Sequence, residues 1–143
     1  MIGNLNGGGL INKVKVFGLF VSDDNSLQGL VAIRENYDED FRYMEMEIVE
    51  SAPQNKKFNK GHINQNRQYS NIGKILIAFV CWYSLKDPIT EGFVEFTSKT
   101  SKMPLYISLG AKEKGYHDMV FYPEDSLRVV ANNIPGGVKW CTN

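Results

Sequence analysis

The chain has 143 residues, 43% apolar and 22% charged, which suits one folded domain with a real core and excludes a disordered polymer. Lys plus Arg and Asp plus Glu both number 16, so the net charge is zero and no broad cationic footprint for nucleic acid exists. Two cysteines are too few for a secreted disulfide scaffold, and the two histidines, His62 and His117, stand at no metal-ligand spacing, so no metal site is expected.

Residues 1–12 are polar and glycine-rich and read as a loose lead-in to a domain spanning 1–143. Gly7-Gly8-Gly9 follows no strand and lacks a Lys-Ser or Lys-Thr at P-loop spacing, so it is not read as a phosphate loop. The lead-in has no apolar core of a signal peptide, and the longest apolar run, 75–83, is far below the roughly 20 residues of a membrane span. A cytoplasmic protein with neither membrane nor nucleic acid as partner is the expectation.

Residues 14–21, 27–36 and 41–49 read as three strands joined by short polar turns, which makes an antiparallel meander. In the third, alternation puts Tyr43, Glu45, Glu47 and Val49 on one face and Arg42, Met44, Met46 and Ile48 on the other. Residues 50–71 form a long polar loop. Residues 72–86 are apolar nearly all round and predict a buried helix ended by Asp87-Pro88. A strand at 92–97, a short helix at 104–109, a strand at 119–122 and a helix at 123–133 follow, and 134–143 is a tail. A meander followed by alternating strands and helices implies an α+β class: a mixed, mostly antiparallel sheet flanked by helices.

The segment Gln68-Tyr69-Ser70-Asn71-Ile72-Gly73-Lys74 places small and polar residues where the buried helix begins. The first N–H groups of a helix lack partners, the dipole is positive there, and Gly73 has no Cβ to hold a ligand away. Such a start suits a pyrophosphate. By itself it is equally an ordinary N-cap made by Ser70 or Asn71.

Gln68, Asn71 and Gly73 stand at the spacing of the Arg/Gln-x-x-Gly-x-Gly/Ala motif, and Leu105-Tyr106-Ile107-Ser108-Leu109-Gly110-Ala111 is similar to a Phe-Tyr-x-x-x-Gly-Phe element. Both belong to the GCN5-related N-acetyltransferases, which this chain resembles in element order over roughly 14–133. The resemblance implies an acyl-CoA N-acyltransferase-like fold. It also implies transfer of an acetyl group from acetyl-CoA to a primary amine of a small molecule or peptide, with no metal.

By the same resemblance residues 68–74, Ile48 and Val49 border the cofactor, and a backbone N–H near Val49 or Glu50 faces the thioester carbonyl. Tyr106 protonates the departing thiolate. The base is not part of the resemblance: Glu45, Glu47 and Glu50 are the candidates to relay the amine proton through water, and Glu47 is chosen because it lies closer to the expected site. Two departures stand out. Asn71 replaces a Gly, although Asn tolerates the left-handed backbone best among the other residues. Lys99 replaces the family's Asn, leaving Lys99 or Thr100 to bond pantetheine or a phosphate.

About a dozen residues precede the first expected strand, where the family has a strand and two helices. That implies an open sheet edge and, through it, a homodimer. A non-catalytic acyl-CoA-binding or interaction module is the alternative reading.

Overall fold

The computed structural model describes residues 1–5, 14–22, 25–37, 40–56, 58–59, 62–63, 69 and 71–141. Its strands are β1 (Ile2–Asn4), β2 (Val14–Phe20), β3 (Leu27–Tyr37), β4 (Arg42–Ser51), β5 (Phe58–Asn59), β6 (His62–Ile63), β7 (Val94–Thr97), β8 (Lys112–Glu113) and β9 (Asp118–Phe121). Its α-helices are α1 (Ile72–Lys86), α2 (Met103–Leu109) and α3 (Pro123–Asn133). Among the described residues, seven strands form one sheet in the order β1-β2-β3-β4-β7-β9-β8, and β5 and β6 pair separately. The β4–β7 pair is parallel and its neighbours are antiparallel, so the mixed α+β class expected from the sequence holds. Among the described residues, no helix is long and apolar enough to cross a membrane.

The helix α1 buries Leu76, Ile77, Phe79 and Val80 against Phe17, Val31, Ile33, Met44 and Met46 of the sheet. A fully buried Leu or Phe contributes roughly 1.5–3 kcal/mol, so this face dominates the core. The contact is close because β3 carries Gly29 beneath the helix start. A Cβ there would meet Ile72 Cγ2 at 2.8 Å and Leu76 Cδ1 at 2.9 Å. The helix ends where expected, at Asp87. Asp87 Oδ1 accepts the Ile89 N–H at 2.8 Å, while Ser84 Oγ donates to Phe93 O at 2.8 Å and fixes the turn into β7.

One expectation is corrected: within the lead-in, Ile2, Gly3 and Asn4 pair with Leu19, Gly18 and Phe17. The tail, whose packing the sequence left open, joins the domain. Ile2 N donates to Lys139 O at 2.8 Å and Cys141 N to Ile2 O at 2.9 Å, while the Trp140 ring lies about 6 Å from those of Phe17, Phe79 and Trp82. The outer side of β1 is thus bridged at Ile2 by the chain's own Lys139–Cys141. Gly7-Gly8-Gly9 lies outside the described residues.

Candidate functional site

The parallel strands β4 and β7 pair at only two rungs, Met44↔Val94 and Glu45↔Glu95. Beyond them β4 runs on to Ser51 and β7 stops at Thr97, so the strands part and leave a cleft of about 610 Å³. Ile48, Val49, Gly73, Ser98, Leu105 and Tyr106 are among its lining residues, which brings β4, α1 and α2 to one place.

A bulge shapes the β4 wall. Ala32 pairs with Ile48 but Ile33 with Met46, so Glu47 is an extra residue. The alternation reverses phase there: Val49 joins Met44 and Met46 against the core, and Ile48 turns outward, 52% exposed. The expected common face of Glu45, Glu47 and Val49 is thus broken. Ala52 N donates to Gln28 O at 2.9 Å, and alternation along the β3–β4 ladder then puts the Glu50 N–H toward β3 and the Val49 N–H toward the cleft.

The opposite wall is the start of α1. Asn71 caps it with φ 66° and ψ 17°, the left-handed conformation, and its side chain makes no capping bond. Among the described residues nothing accepts from the first N–H groups of Ile72, Gly73 and Lys74, while Asn71 O takes the Ile75 N–H at 3.1 Å. A Cβ on Gly73 would meet nothing within 4 Å, so this turn opens onto space. The Ile72 side chain is 5% exposed and belongs to the core, leaving only its backbone toward the cleft. Tyr69 is tied to the same region: its N–H donates to Asn55 Oδ1 at 2.8 Å, and Asn55 Nδ2 donates to Gln28 Oε1 at 2.7 Å. Gln68 and Ser70 lie outside the described residues.

The Tyr106 ring packs on Phe96 with centroids 4.4 Å apart. Burial pushes its hydroxyl above the usual tyrosine pKa, so it carries its proton at neutral pH. Glu47 also borders the cleft, but Arg34 Nε donates to its Oε1 at 2.8 Å. Thr100 is not among the lining residues, and its hydroxyl lies 3.2 Å from His117 Nε2. Sequence reasoning missed Lys102, which lines the cleft with Lys99. Among the described residues neither is paired with a carboxylate. The signal available was their three-residue spacing just ahead of Tyr106.

A wider hollow of about 1200 Å³ lies at the sheet edge between β1, β2 and Trp140. Its Lys15 is engaged by Glu35 at 2.6 Å and Tyr83 at 3.1 Å, and among the described residues no helix start lines it. The smaller cleft, which a helix start does line, is the candidate site.

This chain is similar to an acetyltransferase from Trypanosoma brucei, with a TM-score of 0.54 and 16% identity over 73% of this chain and 66% of that one. It is also similar to GCN5 from Tetrahymena, with a TM-score of 0.50 and 10% identity over 78% of this chain and 70% of that one. The fold is that of the GCN5-related N-acetyltransferases. At these identities the likeness is one of fold, and the chain spans about two thirds of the Trypanosoma protein's length. No protein-family profile and no curated protein matches the chain. Within the acetyltransferase fold, the parting of β4 and β7 and the start of α1, where Asn71 makes no side-chain capping bond, are seen in this chain's own residues.

Proposed function

We propose that this protein is an N-acetyltransferase that moves an acetyl group from acetyl-CoA to a primary amine of a small molecule or peptide by direct attack. One observation carries the reading: the Gly73 turn and Tyr106 line the same cleft, which opens where β4 and β7 part.

The residues fit the donor. The N–H groups of Ile72, Gly73 and Lys74, which no acceptor among the described residues takes, suit the pyrophosphate, and Lys99 and Lys102, paired with no carboxylate among those residues, add charge for phosphate oxygens. The Val49 N–H faces the cleft, where it polarises the thioester carbonyl. In the reaction the amine nitrogen bonds to the acetyl carbon, the carbon–sulfur bond breaks, and Tyr106 gives its proton to the sulfur. The proton shed by the amine leaves through water.

A second reading, a non-catalytic acyl-CoA-binding module, is favoured by the Arg34–Glu47 pair, which engages the carboxylate otherwise expected to take that proton.

Calorimetric titration with acetyl-CoA, with 3′-dephospho-CoA and pantetheine as controls, tests the shared premise. Saturable binding that Gly73→Glu abolishes supports both readings, and product formation with an amine panel then separates them. No binding at millimolar acetyl-CoA sinks both.

A further inference from the structure

Asn55 ends the short 3₁₀ turn Pro53–Asn55 that follows β4, and Tyr69 lies fourteen residues later, two before Asn71. One side chain joins these separated points to the sheet. Asn55 Oδ1 accepts the Tyr69 N–H at 2.8 Å, while Asn55 Nδ2 donates to Gln28 Oε1 at 2.7 Å and to Gln28 O at 3.0 Å. The partners set the orientation of this amide, because a backbone N–H can only donate and a backbone carbonyl can only accept. Gln28, on β3, is held in its turn: its Nε2 donates to Ser26 Oγ at 2.8 Å, and its carbonyl also takes the Ala52 N–H at 2.9 Å.

Asn55 and Gln28 are each 1% exposed. A made hydrogen bond adds little net stability and a buried unmade one is costly, so two amides here carry a risk that an apolar pair would avoid. What the amides add is direction. The helix α1 begins at a left-handed Asn71 that makes no side-chain capping bond. Ahead of Asn71, the Tyr69 backbone is held by Asn55. Behind it, the Ile72 side chain is buried in the core over Gly29, the residue next to Gln28. Asn71 thus stands between two anchors that rest on the same stretch of β3. Asn55 borders the cleft as well, but its Nδ2 is turned to Gln28 and its Oδ1 to Tyr69, so it acts on a ligand through the backbone it holds.

We infer that Asn55 is a positioning residue: by tying Tyr69 to Gln28 it sets the start of α1 in the conformation that receives the pyrophosphate of acetyl-CoA. Gln28 is its support. The inference rests on the acetyl-CoA reading above and adds to it the side chain on which the affinity of that turn depends.

The test measures acetyl-CoA affinity by calorimetry for the full chain as wild type, Asn55→Leu, Gly73→Ala and the variant with both changes, each first shown by a melt to be folded at the titration temperature. Leu fills much the same space as Asn and bonds neither Tyr69 nor Gln28. Alone, Asn55→Leu is expected to weaken binding about tenfold or more. In the Gly73→Ala background, where the methyl already keeps phosphate from the turn, it is expected to cost less than about threefold, because both changes act on one contact. Asn55→Ser, too short to reach Tyr69, takes the place of Asn55→Leu if that variant does not fold. Equal weakening in both backgrounds assigns Asn55 to the fold at large and overturns the inference, as does an Asn55→Leu affinity within about twofold of the wild type; in both cases the acetyl-CoA reading stands. Wild-type affinity in Gly73→Ala overturns the inference too, since the turn then does not receive the phosphates. No binding by the wild type at millimolar acetyl-CoA sinks the acetyl-CoA reading, and the inference with it.

Discussion

The Tyr106 ring sits on that of Phe96, with centroids 4.4 Å apart and planes 50° from parallel. That contact holds the phenol at the cleft wall, and its partial burial raises its pKa. Tyr106→Phe keeps the ring and removes the proton. Acetyl-CoA affinity is expected to hold, while turnover falls by about 10²–10⁴-fold, the usual weight of a positioned acid. The sign of the pH effect follows: the donor is lost only above the raised pKa, so any alkaline fall in rate from this group sets in later than for a solvent-exposed phenol. Steady-state rates with the two proteins across pH measure both effects.

Gly73 separates binding from stability. Nothing lies within 4 Å of a Cβ there, and its φ is not in the left-handed region. Gly73→Ala should therefore leave the fold unharmed or stabilise it by up to about 1 kcal/mol, as Ala is the better helix former. The added methyl projects toward the cleft and keeps phosphate oxygens from the N–H groups, so acetyl-CoA affinity is expected to drop. Denaturant melts and calorimetry on the same sample check the two directions.

The helix α1 was legible to the residue, because its apolar run and the Asp87-Pro88 stop are local signals. The left-handed Asn71 was legible only through the resemblance, which puts a Gly at that position, and Asn is the residue that best stands in for Gly there. Tertiary partners decided what was missed. Ile2–Asn4 is too short and too polar to read as a strand, and forms because β2 and Lys139–Cys141 supply both its edges. The β4 bulge is invisible to a strict alternation reading, since it is defined by register against β3. Asn55 was hidden among the polar residues of 50–71, since its burial depends on Gln28, a partner on β3. The expected role of Glu47 did not anticipate Arg34, a partner on the neighbouring strand.

The two cysteines should differ sharply. Cys81 is fully buried in α1, and desolvation pushes its thiol up to about 12, although Ser126 bonds to it and lowers it in part. A thiol at that value has almost no thiolate at neutral pH, and burial also blocks reagent. Cys141 is half-buried beside β1. A disulfide reagent is expected to titrate one thiol per native chain, and Cys141→Ser to bring that to none. Two fast-reacting thiols in the native protein would contradict the packing of α1 on the sheet.

Asp125, at the start of α3, ties that helix to β8 and to the turn after β9. Its side chain is buried, and desolvation alone would raise its pKa. The Lys112 ammonium, 2.8 Å from Oδ1, outweighs this together with the Tyr122 N–H at 3.1 Å from Oδ2 and Arg128, so the carboxyl lies below the usual range. A pKa lower in the folded than in the unfolded chain means stability present above the unfolded value of about 3.9 and lost as pH falls through the folded one. Asp125→Asn removes this contribution. At pH 7 the variant is expected to melt lower, by the equivalent of roughly 1.5–3 kcal/mol for a hydrogen bond to a charged group. Below both pKa values the wild-type carboxyl is neutral too, so the two melting temperatures should converge as the pH is lowered from about 4 toward 2. A gap that stays constant over that range would mean that Asp125 acts through shape and hydrogen bonding alone, and that the charges of Lys112 and Arg128 contribute nothing to holding α3.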